Sequence, residues 1–244
     1  MANTTVETGA APAPKNLVAR FIGIITSPKA TYEAVVAHPK WLGMLVVTTL
    51  IVAVCTTLPM TTEAGKEAAL DRQVKQMESF GLKVDDAAYA RMQQQSAITP
   101  YITLASITVM APIMALIFSG IVFAIFNAAM GGTATFKQVF TVWAHAGAIS
   151  ALGQLFIGPF NYFRGTLTSA TNVGALLPML PDTSFIGKLA GMIDLFAIWW
   201  VIVLSMGLAV LYRRKTQPIA IALFSIYAVI ALGVAAFMSR GGTN

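Results

Sequence analysis

Cysteine is almost absent from this 244-residue chain: Cys55 stands alone inside an apolar run, so no internal disulfide is possible. Charge is scarce as well, at 11% of residues, where a soluble domain carries roughly 25%. With 57% hydrophobic residues and a mean hydropathy of +0.72, that scarcity excludes an ordinary water-soluble fold and places the chain in a bilayer. Histidine occurs only as His38 and His145, far apart and without a cysteine beside either, which argues against zinc. The signatures HExxH and GxSxG are missing, as is a glycine-rich phosphate loop followed by lysine, and Asp194 has no second intramembrane aspartate for company. No catalytic residue, metal ligand or cofactor is therefore expected. The net charge of +6 (16 Lys+Arg against 10 Asp+Glu) is scattered between apolar segments and forms no basic stripe, so anionic lipid explains it better than nucleic acid. No secretory signal is recognised, because the apolar patch 17–25 is interrupted by Arg20 and lacks a small-residue cleavage site; the first crossing is expected to act as its own signal.

What is present is a series of long apolar runs. The pivotal stretch is Gly131-Gly132-Thr133-Ala134-Thr135-Phe136-Lys137-Gln138, a polar turn between two of them. Gly131 and Gly132 supply freedom to leave one helix, Thr135 is a plausible N-cap for the next, and Lys137 marks the membrane surface. Since ~20 apolar residues cross the hydrocarbon, five crossings are expected: 41–58, 101–130, 137–160, 185–212 and 218–238. Ahead of them lie a disordered tail over 1–14 and amphipathic interfacial helices over 15–40, the second opened by Ser27-Pro28. The alternative for these two helices is that they rest on the bundle itself. Residues 60–100 read as a helical hairpin outside the bilayer, with Gly81 as a stop and Asp85-Asp86 as a cap; its carboxylates match no metal loop and read as a solvated face. Gly158-Pro159 is taken to end the third crossing. A short tail, 239–244, closes the chain. The fold class is thus an all-α membrane protein, a five-helix transmembrane bundle with short N-terminal interfacial helices and an extracytoplasmic helical hairpin.

Five crossings put the termini on opposite sides. With the N-terminus cytoplasmic, that side holds Lys15, Arg20, Lys29, Lys40, Lys137 and the cluster Arg213-Arg214-Lys215, eight basic residues; the other also holds eight, but five of those lie in the hydrophilic hairpin, where their weight falls. The expected location is the bacterial inner membrane, N-terminus cytoplasmic and C-terminus outside.

The same turn 131–138, the run Asp194-Leu195-Phe196-Ala197-Ile198-Trp199 leading into Val203-Leu204-Ser205-Met206-Gly207-Leu208, and Ser27-Pro28-Lys29-Ala30-Thr31-Tyr32 ahead of the first crossing together resemble the Yip1 family in its bacterial form. The resemblance covers roughly 17–238 and implies a five-crossing bundle with a cytoplasmic N-terminus. Eukaryotic relatives are linked to Rab GTPases and vesicle traffic, but their long acidic cytoplasmic tail is absent here, so Rab binding does not carry over.

Within the expected hydrocarbon the costly residues are Asn127, His145, Gln154 and Asp194, with Lys188 near an end. At 1.5 Å per residue, His145 lies ~12 Å below one face and Asp194 ~14 Å below the other, with Pro112 ~16 Å deep. One reading is a midplane polar site of Asp194, His145, Thr108 and Pro112 that handles a proton, cation or polar solute. A second is a single structural Asp194–His145 hydrogen bond, with Pro112 only bending its helix, and a third is that the helix limits lie elsewhere and Asp194 reaches water. Gly187 with Gly191, and Gly147 with Ala151, are small-xxx-small pairs suited to close helix contact within the bundle or between protomers. The function expected is a non-catalytic membrane-organising or protein-interaction module whose partners are the lipid bilayer and copies of itself or other membrane proteins, with no nucleic acid. The alternative is a small channel or transporter for a proton, cation or lipid-like solute.

Overall fold

In the computed structural model the described residues, 16–177, 179–181 and 184–240, form helices and turns with no strand among them. The tail expected over 1–14 and the last residues of the chain lie outside them. Asn16 caps α1 (Leu17–Thr26) by accepting from the Ala19 amide at 2.8 Å. Pro28 opens α2 (Pro28–Ala37) at the position where its missing N–H costs nothing. The first crossing, α3 (Leu42–Thr57), runs into a hairpin of α4 (Glu63–Ser79) and α5 (Asp86–Gln95). Gly81 at φ +78° turns the chain there, and the Asp85 carboxylate accepts from the Ala88 amide at 2.7 Å, as the sequence predicts. The second crossing, α6 (Thr99–Met130), is 32 residues long and continues through Pro112.

The turn after α6 is built by two rules. Gly131 adopts φ +60°, and Thr135 with Gln138 forms a reciprocal capping box for α7 (Phe136–Arg164). Contrary to the sequence reading, α7 does not stop at Gly158-Pro159. Proline removes a single backbone bond near the helix end, and burial of Ile157, Gly158 and Asn161 outweighs that loss, so the helix runs on to Gly165 at φ +62°.

The largest departure concerns the fourth crossing. Residues 185–212 are not one helix: α8 (Val173–Leu176) and the eight-residue α9 (Phe185–Met192) precede a break at Ile193-Asp194, and the crossing itself is α10 (Leu195–Tyr212). Eight residues span ~12 Å, far less than the hydrocarbon, whereas eighteen span ~27 Å. The last crossing is α11 (Thr216–Arg240).

Among the described residues, five helices are long and apolar enough to cross a membrane. Helix α7 is central, packed chiefly against α3 and α10, with α6 lying on α3 and α7, and α11 on α9 and α10. The α3–α7 seam is lined by small residues: a Cβ on Gly147 would meet Thr48 Oγ1 at 3.2 Å, and one on Gly158 would meet the Cys55 carbonyl oxygen at 2.6 Å. Gly147 thus faces the neighbour its spacing suggests, and Ala151 is fully buried beside it. Helices α1 and α2 do not merely lie on headgroups. Ile24, Tyr32 and Val35 are fully buried with Val142, Leu204 and Leu208 of α7 and α10, so the pair is wedged into one end of the bundle.

The chain order defines two faces. One gathers α1, α2, the 131–135 turn and Arg213-Arg214-Lys215 and is called the basic face; the other carries α4, α5, α8 and α9 and is called the hairpin face.

Candidate functional site

Asp194 is the N-cap of α10. One carboxylate oxygen accepts from the amides of Phe196 (2.8 Å) and Ala197 (3.3 Å), the other from the hydroxyls of Ser169 (2.7 Å) and Thr171 (2.6 Å). Two backbone bonds, Val173 N–H to Ile193 O and Leu195 N–H to Thr171 O, fasten the same loop beside it. Partial burial pushes the Asp194 carboxyl up, but the four donors outweigh it and hold the group below the usual carboxylate range. Its acceptor capacity is used to secure the connection from α7 to α10. The Tyr227 hydroxyl of α11 donates to the Met192 carbonyl nearby.

His145 is completely buried and belongs to a different cluster. Its Nδ1 faces the Thr141 carbonyl at 2.8 Å, and a carbonyl can only accept, so Nδ1 carries the proton. Nε2 is then the bare acceptor, and it receives the Arg20 guanidinium at 3.2 Å. The same Arg20 nitrogen donates to the Lys40 carbonyl at 2.7 Å, while Arg20 Nε is buried without a partner. Burial lowers the Arg20 guanidinium from its ordinary value. This arginine, read from sequence as attraction for headgroups, ties α1 to α7 and to the strap before α3.

The expected meeting of Asp194 and His145 does not occur. Phe196, beside Asp194, packs against Gly153, eight residues or ~12 Å along α7 from His145. The crossing begins only at Leu195, so Asp194 stands at its end and not at the depth expected from a helix starting at Phe185. Thr108 is exposed, its hydroxyl donating to the Leu104 carbonyl at 2.7 Å, so it looks away from His145, and Pro112 is half-buried. Gly187 lies under the Pro181 carbonyl, and the Gly191 backbone meets Gly174, so the pair serves the α8–α9 loop. Sequence reasoning missed Ser169, Thr171 and Arg20. The polar run 166–172 and a lone cation in an apolar helix were the available signals.

The basic residues singled out do come together with the turn. A cavity of about 380 Å³ opens on the basic face between Gly132, Thr133, Gln138, Tyr212, Arg213 and Arg214. Arg213 is the only non-glycine residue at positive φ (+53°) among those described. A Cβ on Gly132 would lie 2.5 Å from the Tyr212 ring and 2.9 Å from Asn127 Oδ1, so only glycine fits at the cavity wall. Lys215 is exposed next to it.

Crossing number, the basic-face wedge and the two polar clusters define a polytopic, all-helical membrane protein. The Yip1 domain matches residues 22–238, and the chain belongs to the Yip1 family. It is also similar to the membrane protein YknW of Bacillus subtilis (strain 168), 23% identical over 215 residues that cover 87% of this chain and 84% of that relative. No solved structure matches.

Proposed function

We propose that this protein is a non-catalytic module of the bacterial inner membrane, N-terminus inside and C-terminus outside, that works by associating with copies of itself or with other membrane proteins. The observation that carries the reading is the hairpin. Helix α5 buries none of its residues, and Phe80, Leu82 and Tyr89 are exposed outside the crossings, with the Phe80 ring near Phe237 at the end of α11. Large apolar side chains exposed on an arm beyond the crossings suit a contact surface. The polar residues of the bundle favour this over transport, because Asp194 and His145 spend their hydrogen bonds on local ties. Orientation rests on the seven cations Arg20, Lys29, Lys40, Lys137, Arg213, Arg214 and Lys215 facing a single described carboxylate, Glu33, on the basic face.

A photo-crosslinker at Leu82 or Tyr89 in intact membranes tests the proposal. Adducts to a second copy or to another membrane protein are expected. No adduct from either position, combined with proton or cation flux in liposomes that Asp194→Ala and His145→Ala abolish, would transfer the assignment to a transporter.

A further inference from the structure

The cavity on the basic face takes part in neither tie. Among the residues that line it are four with side-chain donors: Arg213, Arg214, Thr133 and Gln138. The Gln138 oxygen is held by Thr135, through its amide at 2.9 Å and its hydroxyl at 3.1 Å, which leaves the NH2 group available. No carboxylate lines the cavity, and among the described residues the one ion pair, Lys66–Glu63, belongs to α4 on the hairpin face. Helix dipoles do not decide the sign here, because α6 and α10 end at this face while α7 and α11 begin there, and the opposed ends offset one another. The charge is set by the two arginines.

Two further features adjoin these side chains. Arg213 ends α10 in a left-handed conformation that glycine adopts freely and other residues adopt at a cost. Tyr212 OH and Asn127 Oδ1 are buried without hydrogen-bond partners, and the Tyr212 ring and Asn127 Oδ1 adjoin Gly132. A volume of about 380 Å³ falls in the ~300–1,000 Å³ range of small-molecule sites. Paired guanidinium forks match the oxygens of phosphate and carboxylate groups, and at a membrane surface the abundant oxyanion is lipid phosphate. We propose that this cavity binds a phosphate-bearing anion at the level of the helix ends, presented by a membrane lipid headgroup or by a soluble phosphate. The inference does not depend on the association reading.

The test uses the full chain in neutral detergent, with binding of dihexanoyl-phosphatidylglycerol, dihexanoyl-phosphatidylcholine, glycerol phosphate and inorganic phosphate measured by native mass spectrometry and by thermal shift. Phosphatidylglycerol is expected to bind at least tenfold tighter than phosphatidylcholine. Arg213→Gly and Arg214→Gln should each weaken it roughly tenfold, the scale of a lost charge-assisted contact, while Lys66→Gln on the other face changes nothing. Arg213→Gly also guards against misfolding, since it relaxes the backbone and should melt no lower than the wild type. Tight binding of glycerol phosphate or inorganic phosphate, lost in the same variants, assigns a soluble ligand; binding of the lipid alone assigns a headgroup. Unchanged affinity in both arginine variants, or no binding of any probe, overturns the proposal.

Discussion

The two ends of the bundle are closed by opposite chemistry. At the hairpin face a carboxylate, Asp194, collects four donors and fastens a loop that has strayed from the helices. At the basic face a half-buried cation, Arg20, is held against a neutral imidazole and a carbonyl, and an apolar wedge led by Tyr32 does most of the filling. The first closure is a hydrogen-bond knot and the second is a packing joint with one polar pin. Their responses to mutation should therefore differ in size, kind and place.

The sharpest break is at the packing joint. A Cβ on Gly207 would lie 2.5 Å from Val142 Cγ1 and 2.7 Å from Tyr32 Cζ, so Gly207→Val should destabilise by about 3 kcal/mol through overpacking and release α2. Loss of thermal stability together with new protease cleavage at Lys29 would be the readout. Asp194→Ala should cost about 2 kcal/mol, a lost cap plus two stranded hydroxyls, with faster hydrogen exchange confined to 169–197. This contribution depends on pH in one direction. The folded carboxyl titrates below its unfolded value, so the stabilisation is complete above about pH 4 and fades as the pH falls through the lower folded value. A melting series from pH 6 to 3 checks this, and Asp194→Asn should flatten it.

His145→Ala should cost only about 1 kcal/mol, in keeping with side-chain hydrogen bonds inside membrane bundles, with exchange rising in α1 and not in the 169–197 loop. Combining it with Asp194→Ala sharpens the comparison further. The two sites share no partner, so their costs should add to within about 0.5 kcal/mol, and a larger coupling would revive a joint polar centre. The smallest effect is expected at lipid-facing Thr108, where Thr108→Val should move stability by under about 0.5 kcal/mol.

Much of this architecture is legible in residues taken one segment at a time. The five crossings, the Gly131 exit, the Thr135 cap and the Asp85 cap follow from run length, periodicity and local turn chemistry, which act within a few positions. Asp194 failed that logic because it stands in an apolar run that looks like continuous helix, and the hydroxyls that hold its second oxygen, Ser169 and Thr171, are more than twenty positions upstream. Arg20 failed for a related reason: a long side chain next to a membrane can reach out to headgroups or inward to a histidine, and local pattern does not distinguish the two. The α1–α2 pair is similarly open between lipid and protein, and burial of Tyr32 shows that one of its faces packs on the bundle.

The central position of α7 has a consequence for biogenesis. It is the least apolar of the five crossings and the most enclosed, and it is synthesised third, after α3 and α6 but before α10. Left alone in lipid during translation it would be the crossing least able to stay inserted. Its residence there must be supported by the two helices already in place, and the small-residue seam with α3 gives the nascent chain a parallel partner before the second half of the protein has emerged.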